Sequence, residues 1–515
     1  MTQPPCPTTG SSRSAAALPR SIAEMFDATV AERGDQPALG VIEGGVLRWM
    51  TWGDVSQSVE SLLAEINGAQ DWRPADTGLA GLRTWLALAV RGPLLGLPPE
   101  QCTELVATSG TGGEPRGVLL SQQNLVSNTV AVAQAIAASL DGSDAGAPDA
   151  DAPDAVAPDD RTQDASAPDA RREVRLAFLP FSHLFARVCD LYCWVYRGSR
   201  MVLAESRETI FRDCQTARPT TLNGVPYFFQ KAIDLAQRDG VPLRGLLGGR
   251  VRRCYCGGAA LAEDVRRRFG AEGIPLLCGY GLTEASPVVT VSTIKANKPG
   301  TVGKPLPGVQ VRTAADGEVL VRGPNVMQGY AGPDGAIDPR ATAQAVRNGW
   351  LHTGDLGAID AQGFLTIVGR KKEQLVLSTG KNVAPARLEA LLAASPWIEQ
   401  VAVVGDGRSC LGAVVVPNPQ RLRAEVRRRR LWVWSKRQAL RHPAVRRVFA
   451  DEIAQRLAGC ASHEQVRVFR LLGRPFSQER GEVTAKLSLR RAAIEQTLAR
   501  EIAAMYADRP APTSR

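Results

Sequence analysis

The chain has 515 residues, 44% hydrophobic and 22% charged, with a formal net charge of +10. That length exceeds one compact core, so two or more domains of about 100–250 residues are expected, and the apolar fraction excludes wholesale disorder. No run approaches the roughly 18 apolar residues of a membrane span; Leu86 to Leu97 comes nearest and holds Arg91, Gly92 and Pro93.

Residues 1–20 are rich in Pro, Ser, Thr and Ala and are expected to be disordered. Arg13 and Ala15–Leu18 do not amount to a secretory signal. From Ser21, the spacing of Ile22, Met25, Phe26 and Val30 predicts an amphipathic helix. Val46 to Thr51 reads as a strand, and Thr51-Trp52-Gly53-Asp54 as a turn into a helix running through Ile66. Residues 67–104 give no clear pattern.

Residues 141–170 repeat Ala-Pro-Asp, with nine Asp against one Arg, a net of −8. Nothing there fills a core, so a flexible acidic insertion is expected. The rest of the chain therefore carries about +18, most of it expected on solvated helix faces.

From Arg172 to about Val415, short apolar runs alternate with turns and helical stretches. Strands are predicted at 174–179, 201–204, 276–280, 309–312 and 317–322, and helices at 261–269 and 341–347. This is α/β patterning. After Gly369-Arg370 the texture changes. A helix at 386–394 and strands at 400–405 and 412–417 predict a small α+β domain ending near Tyr506.

The ten cysteines are scattered. Cys189-x3-Cys193 and Cys254-x-Cys256 have no second pair at zinc spacing. They read as reduced thiols of a cytoplasmic protein.

Thr108-Ser109-Gly110-Thr111-Gly112-Gly113-Glu114-Pro115-Arg116-Gly117 joins three hydroxyls, four glycines and one cation in ten residues. Glycines let backbone N–H groups turn toward an anion, hydroxyls add donors, and a guanidinium neutralises charge. The pattern is not GxxxxGK[ST], which disfavours a P-loop ATPase. Alone, it also reads as a glycine-rich hairpin turn.

The decapeptide resembles the TSGTTGxPKG loop of the adenylate-forming superfamily of acyl-CoA synthetases, luciferases and adenylation domains. Four more motifs follow in order. Tyr280-Gly281-Leu282-Thr283-Glu284 resembles YGxTE, and Trp350 to Asp355 resembles WxxTGD. Gly369-Arg370-Lys371-Lys372 resembles the hinge GRxK/D, and Gly380 to Pro385 resembles GKNVxP. Phe178 to Arg187, Arg218 to Pro226 and Gly257-Gly258-Ala259-Ala260 resemble long-chain fatty acyl-CoA synthetases in particular.

The resemblance implies an α/β adenylate-forming fold, with a large multi-subdomain N-terminal domain over 21–369 and a small mobile α+β domain over 370–506. Residues 507–515 would be a disordered tail. It implies ATP and CoA as co-substrates and Mg²⁺ as the metal. Thr108, Ser109, Gly110, Thr111, Gly112 and Gly113 would wrap the β/γ-phosphates, with Arg116 as the nearby cation. Gly257, Gly258, Ala259, Gly279 and Gly281 would wall the adenine, with Tyr280 stacking on it. Thr283 would contact phosphate, and Glu284 would bind Mg²⁺. Asp355 would accept both ribose hydroxyls, an arrangement suited to a carboxylate, and Arg370 would also reach the ribose. Lys381, in the GKNVxP loop, joins the nucleotide-binding set. His183 would lie near the acyl pocket. Lys372 would be the pivot of domain rotation, and Lys486 the lysine that bridges carboxylate and α-phosphate.

Three departures stand out. Gly112 replaces a threonine and Arg116 a lysine. Only about 41 residues separate Ile66 from Thr108, so the large domain is shortened before residue 104, which puts its acyl-pocket wall and core in doubt. The acidic insertion is atypical.

The implied reaction is ATP-dependent activation of a medium- to long-chain fatty acid, or related lipid acid, through acyl-AMP to acyl-CoA. The alternatives are a fatty acyl-AMP ligase loading an acyl carrier protein, and an impaired homologue that only binds nucleotide or acyl-adenylate. Nucleic acid is not an expected partner, because no reader motif accompanies the basic charge. The basic stretch near 426–447 suits CoA phosphates or peripheral membrane contact. Oligomeric state is not legible.

Overall fold

The computed structural model describes residues 19–68, 78–91, 102–108, 116–138, 173–483 and 489–507. The acidic insertion, most of the glycine-rich loop and the segment around Lys486 lie outside these residues.

The first helix, α1 (Ile22–Arg33), starts at Ser21, whose hydroxyl accepts from Glu24 N–H. It buries Ile22, Met25 and Phe26, as the spacing predicts. The hairpin β1 (Pro37–Glu43) and β2 (Val46–Thr51) follows. Thr51 and Asp54 then form a reciprocal cap that opens α2 (Trp52–Gly68). The unread stretch contains α3 (Gly78–Arg91), whose Leu82 and Leu86 are fully buried. Trp52 of α2 stacks on Trp194 with ring centroids 4.4 Å apart. Phe26, Trp52, Leu82, Leu86 and Trp194 share one buried core.

Strands β3 (Cys102–Thr108) and β4 (Arg116–Ser121) pair antiparallel, with Thr108 opposite Arg116. Ser121 and Asn124 then form a capping box for α4 (Gln122–Ala137).

Seven further strands come next: β5 (Val174–Ala177), β6 (Arg200–Leu203), β7 (Thr221–Gly224), β8 (Arg253–Cys256), β9 (Leu276–Gly281), β10 (Val288–Val291) and β11 (Lys304–Pro305). With β1 and β2 they build a nine-stranded sheet, ordered β11-β10-β9-β8-β7-β5-β6-β1-β2. Its centre, from β9 to β1, is parallel. The apolar runs of this sheet are buried, as parallel sheets require.

The next strands are β12 (Gln310–Thr313), β13 (Glu318–Arg322), β14 (Gly329–Tyr330), β15 (Val346–Arg347), β16 (Trp350–Ile359) and β17 (Leu365–Arg370). Four of them make a sheet ordered β12-β13-β16-β15, with β17 on β16, while β14 joins β4 and β3. The helix expected at 341–347 is Pro339–Ala345, and its last two residues belong to β15.

After Arg370, a short pair β18 (Leu375–Val376) and β19 (Asn382–Val383) leads to β20 (Ile398–Val404), β21 (Leu411–Pro417) and β22 (Val466–Leu471). These last three form one sheet. Val401, Val403, Ala413 and Val415 face a core with Leu388, Leu392 and Phe449. Ala402, Val404, Val414 and Val416 face another with Ile494, Leu498 and Met505. Strand periodicity of two separates the sets, and helices cover both sides.

The eight cysteines among the described residues are free thiols. Among those residues, no helix is long and apolar enough to cross a membrane.

Candidate active site

Two small clusters meet at the carboxyl end of β9. The first surrounds Asp355 on β16. Tyr280 Oη donates to Asp355 Oδ2 at 2.7 Å, and Arg370 Nε lies 3.0 Å from Asp355 Oδ1. Asp355 and Arg370 are register partners on β16 and β17. The turn before Asp355 is fixed by its neighbours. Thr353 Oγ1 donates to Val319 O and accepts from Asp355 N–H, and Gly354 N–H donates to Glu318 Oε1 at 2.9 Å. Burial raises the Asp355 pKa, although Arg370 and Tyr280 pull against it. Burial, followed by the Asp355 charge, pushes the Tyr280 phenol well up, so it stays a donor.

The second cluster surrounds Glu284, in the 3-10 turn Thr283–Ala285. Tyr330 Oη donates to Glu284 Oε1 at 2.9 Å, and Arg116 lies 5.5 Å from the centre of the Tyr330 ring. Met327 N–H donates to Glu284 O, and Asn325 Nδ2 to Ala285 O. Burial and then the Glu284 charge raise the Tyr330 pKa. Arg370 joins the clusters. Burial disfavours its charge, but Asp355, Glu373, Tyr280 and Glu284 together raise its pKa.

Backbone geometry explains the glycines. A Cβ on Gly281 would sit 2.0 Å from Pro287 O, so only glycine lets β9 approach the Pro287 turn. At the end of β8, Gly257 N–H donates to Gly224 O, and Gly258 has φ +82°. A Cβ on Gly257 would meet the Phe185 ring at 3.2 Å. That contact brings the turn carrying His183 against the glycine wall.

His183 is half-buried and precedes the short helix Leu184–Ala186. Its loop is held by Arg187, which donates to Phe181 O at 2.9 Å and Ser182 O at 3.2 Å. Arg187 also pairs with Glu104 on β3 and lies over Trp85 of α3, 3.9 Å from the ring centre. Tyr192 Oη donates to the other Glu104 oxygen at 2.9 Å. Arg187 to Tyr192 form a π-helical turn, a distortion frequent at functional sites.

The structure thus brings Arg116, Tyr280, Glu284, Asp355 and Arg370 together and sets Thr283 in the Glu284 turn. Ala259 follows Gly258 at the same sheet end, and Gly279 lies on β9 beside Tyr280. Ser109, Gly110, Thr111, Gly112, Gly113 and Lys486 lie outside the described residues, as does the Thr108 side chain. Lys372 and Lys381 are exposed and make no ion pair with this cluster. In the hinge motif Lys371, like Arg370, reaches back to the large domain, with Nζ 2.5 Å from Asp316 and 3.3 Å from Glu318.

Sequence reading missed Tyr330 and Glu104. The Tyr330 partner is 46 residues away and the Glu104 partner 83. No motif in the sequence marked the first. Arg187 stood in a motif, but its partners were invisible.

Among the described residues, no three His, Cys, Asp or Glu side chains cluster as a metal cage. Glu284 Oε2 accepts no hydrogen bond among them. One open carboxylate oxygen fits Mg²⁺, which keeps waters and phosphate oxygens as its other ligands.

The family described as "AMP-binding enzyme" matches residues 93–331, and "AMP-binding enzyme C-terminal domain" matches residues 372–510. The chain is 30% identical over 447 residues to the long-chain-fatty-acid–CoA ligase FadD15 of Mycobacterium bovis, covering 78% of this chain and 69% of that protein. It is 30% identical over 331 residues to feruloyl-CoA synthase of Amycolatopsis sp., covering 61% and 59% of the two chains. The fold is similar to O-succinylbenzoate coenzyme A synthetase from Bacillus subtilis in complex with AMP, with a TM-score of 0.64, 18% identity, and 91% and 97% of the chains covered. The five ordered motifs, the convergent clusters and both family matches lead to one assignment: the chain belongs to the AMP-binding enzymes of the adenylate-forming superfamily, and is an ATP-dependent acid–thiol ligase of the acyl-CoA synthetase kind.

Proposed function

We propose that this ligase activates a medium- to long-chain fatty acid and transfers it to CoA. The acid carboxylate attacks the α-phosphorus of ATP, giving acyl-AMP and releasing pyrophosphate. The CoA thiol then attacks the acyl carbonyl and AMP leaves. Both steps build negative charge on oxygen, so positioning and electrostatics dominate.

The observation that carries this reading is that Asp355, held by Tyr280 and Arg370, and Glu284, held by Tyr330, both lie within electrostatic reach of the Arg370 guanidinium. Asp355 keeps a lone pair on each oxygen beside its two present donors, enough to accept a pair of ribose hydroxyls. Arg370, paired with Asp355 and 45% exposed, would also reach the ribose. Thr283 and Arg116 face the phosphates, with the glycine-rich segment wrapping the distal ones. When bound at Glu284, Mg²⁺ would neutralise phosphate charge. Tyr280 presents its ring beside the adenine wall of Gly257 to Ala259. His183 lines the acyl side, beside Phe185. Lys486 bridges carboxylate and α-phosphate. The domain boundary falls after Gly369. The Lys371 contacts with Asp316 and Glu318 fix one side of the hinge, leaving exposed Lys372 as its pivot. Similarity to a fatty-acid ligase over 78% of this chain supports the acid class, and peripheral membrane contact suits such a substrate.

The test is pyrophosphate release with acids of two to eighteen carbons, with and without CoA, for wild type and Lys486→Ala. The expected result is release that needs a longer acid and is lost in the variant. Preference for an aromatic acid would overturn the acid class. ATP binding without any release would point to an impaired homologue, and transfer only to a holo carrier protein would replace CoA as acceptor.

A further inference from the structure

We infer that the loop Arg430–Trp434 of the C-terminal domain, with its flanking arginines, is a docking face for an anionic lipid bilayer. Trp432 and Trp434 are 88% and 84% exposed. In contrast, Trp52 and Trp194 are completely buried. Large indoles bared to water are uncommon in a folded domain and mark an interaction surface.

The loop is held in place, so the exposure is built in. Leu431 packs against the small-domain core and its N–H donates to Val426 O at 3.0 Å. Trp434 N–H donates to Gln438 Oε1 at 2.7 Å, and Ser435 caps the helix Lys436–Arg441. Between these anchors the two indoles project side by side, with centroids 6.3 Å apart and planes at 79°.

The charge around them has one sign. Residues 421–447 hold ten arginines and one lysine against a single glutamate, a net of +10. That glutamate, Glu425, is already engaged by Arg428 and Arg429. Arg427, Arg430, Lys436, Arg437 and Arg441 are exposed and make no ion pair among the described residues.

Indole rings flanked by guanidinium groups suit a headgroup region. The ring enters the acyl boundary, and the cations meet anionic phosphates. A carrier protein would use the charge but leave two indoles in water. Single-stranded nucleic acid would want parallel stacking platforms, which rings at 79° do not supply. The inference deepens the fatty-acid reading by naming the surface from which a lipid acid is taken. Its test needs no acyl transfer, so the two stand or fall separately.

The experiment is co-sedimentation of the full chain with phosphatidylcholine vesicles and with vesicles containing about 30% phosphatidylglycerol. Wild type is expected to bind the anionic vesicles about tenfold more tightly, and to release as salt rises from about 0.1 to about 0.5 M. The double variant Trp432→Ser/Trp434→Ser is expected to lose about tenfold in vesicle affinity while keeping its thermal unfolding midpoint and its pyrophosphate release with a soluble acid. Arg427→Gln/Arg430→Gln should reduce the preference for anionic lipid. Equal binding by wild type and the tryptophan variant overturns the inference, as does wild type that ignores both vesicles. Loss of binding to a holo carrier protein or to single-stranded RNA, with vesicle binding unchanged, overturns it in favour of that partner.

Discussion

Asp355 and Arg370 face each other across β16 and β17, and their side chains meet at 3.0 Å, while the phenol of Tyr280 donates to the other carboxylate oxygen. A carboxylate with two donors aimed at it is held in one orientation before any nucleotide arrives. Replacing it by Asp355→Asn keeps the shape and removes the charge. The expected outcome is an increase of about 10- to 100-fold in KM for ATP, the loss of hydrogen bonds to a charged acceptor, read by pyrophosphate release. An unchanged KM would remove Asp355 from the ribose site.

Tyr330→Phe tests the other cluster. The ring remains beside Arg116, but Glu284 loses its donor. A hydrogen bond to a charged group is worth about 1.5–3 kcal/mol, so kcat is expected to fall by about tenfold or more. KM for ATP should move less. Titration of Mg²⁺ in the same assay should show a higher requirement in the variant.

Arg187 is a structural bet. Its guanidinium is 3% exposed and its partner Glu104 10% exposed. Removing one member leaves a buried charge unpaired, at about 3–5 kcal/mol. Arg187→Gln should lower stability on that scale in denaturant unfolding. Arg187→Gln combined with Glu104→Gln should cost less than the sum of the two single changes, because they share one interaction. Additive losses would show that the pair is not coupled.

Asp190 predicts a pH dependence. Burial raises its pKa to about 7, although Arg175 and the Asn223 amide pull it down, and Glu173 adds to the rise. Between the usual carboxylate range and pH 7 the folded state therefore holds more protons than the unfolded state. Stability should fall as pH rises through that window and then level off. Glu173 shifts the opposite way, to about 2, so its contribution is lost only under more acidic conditions. Thermal unfolding from pH 5 to pH 8 should show the decline in wild type and a flatter profile in Asp190→Asn.

The nucleotide site was legible because each part of it is local. Thr283 and Glu284 follow Tyr280 within four residues, and Asp355 ends a six-residue motif. The α/β alternation was legible for a similar reason, since buried parallel strands are short apolar runs. Helix α3 was not read, though Leu79, Leu82 and Leu86 recur at helical spacing, because Gly78 and Gly81 within it and the prolines and glycines on either side in the sequence blur the pattern. The ion pair of Arg187 with Glu104 depends on how β3 meets the π-helical turn. No periodicity encodes a contact of that range. The same holds for Tyr330, which reaches Glu284 only because β14 pairs with β4.

The two-sided covering of β21 has a mechanical corollary. The C-terminal unit shields its apolar strands with its own helices, so it offers its neighbour no unfinished interior. Its attachments across the boundary include hydrated charge pairs such as Arg456 with Asp264 at 2.9 Å, and contacts of that type are weak and readily replaced by water. Moving a body constructed in this manner to a new seat on the larger half would leave the interior of each half intact.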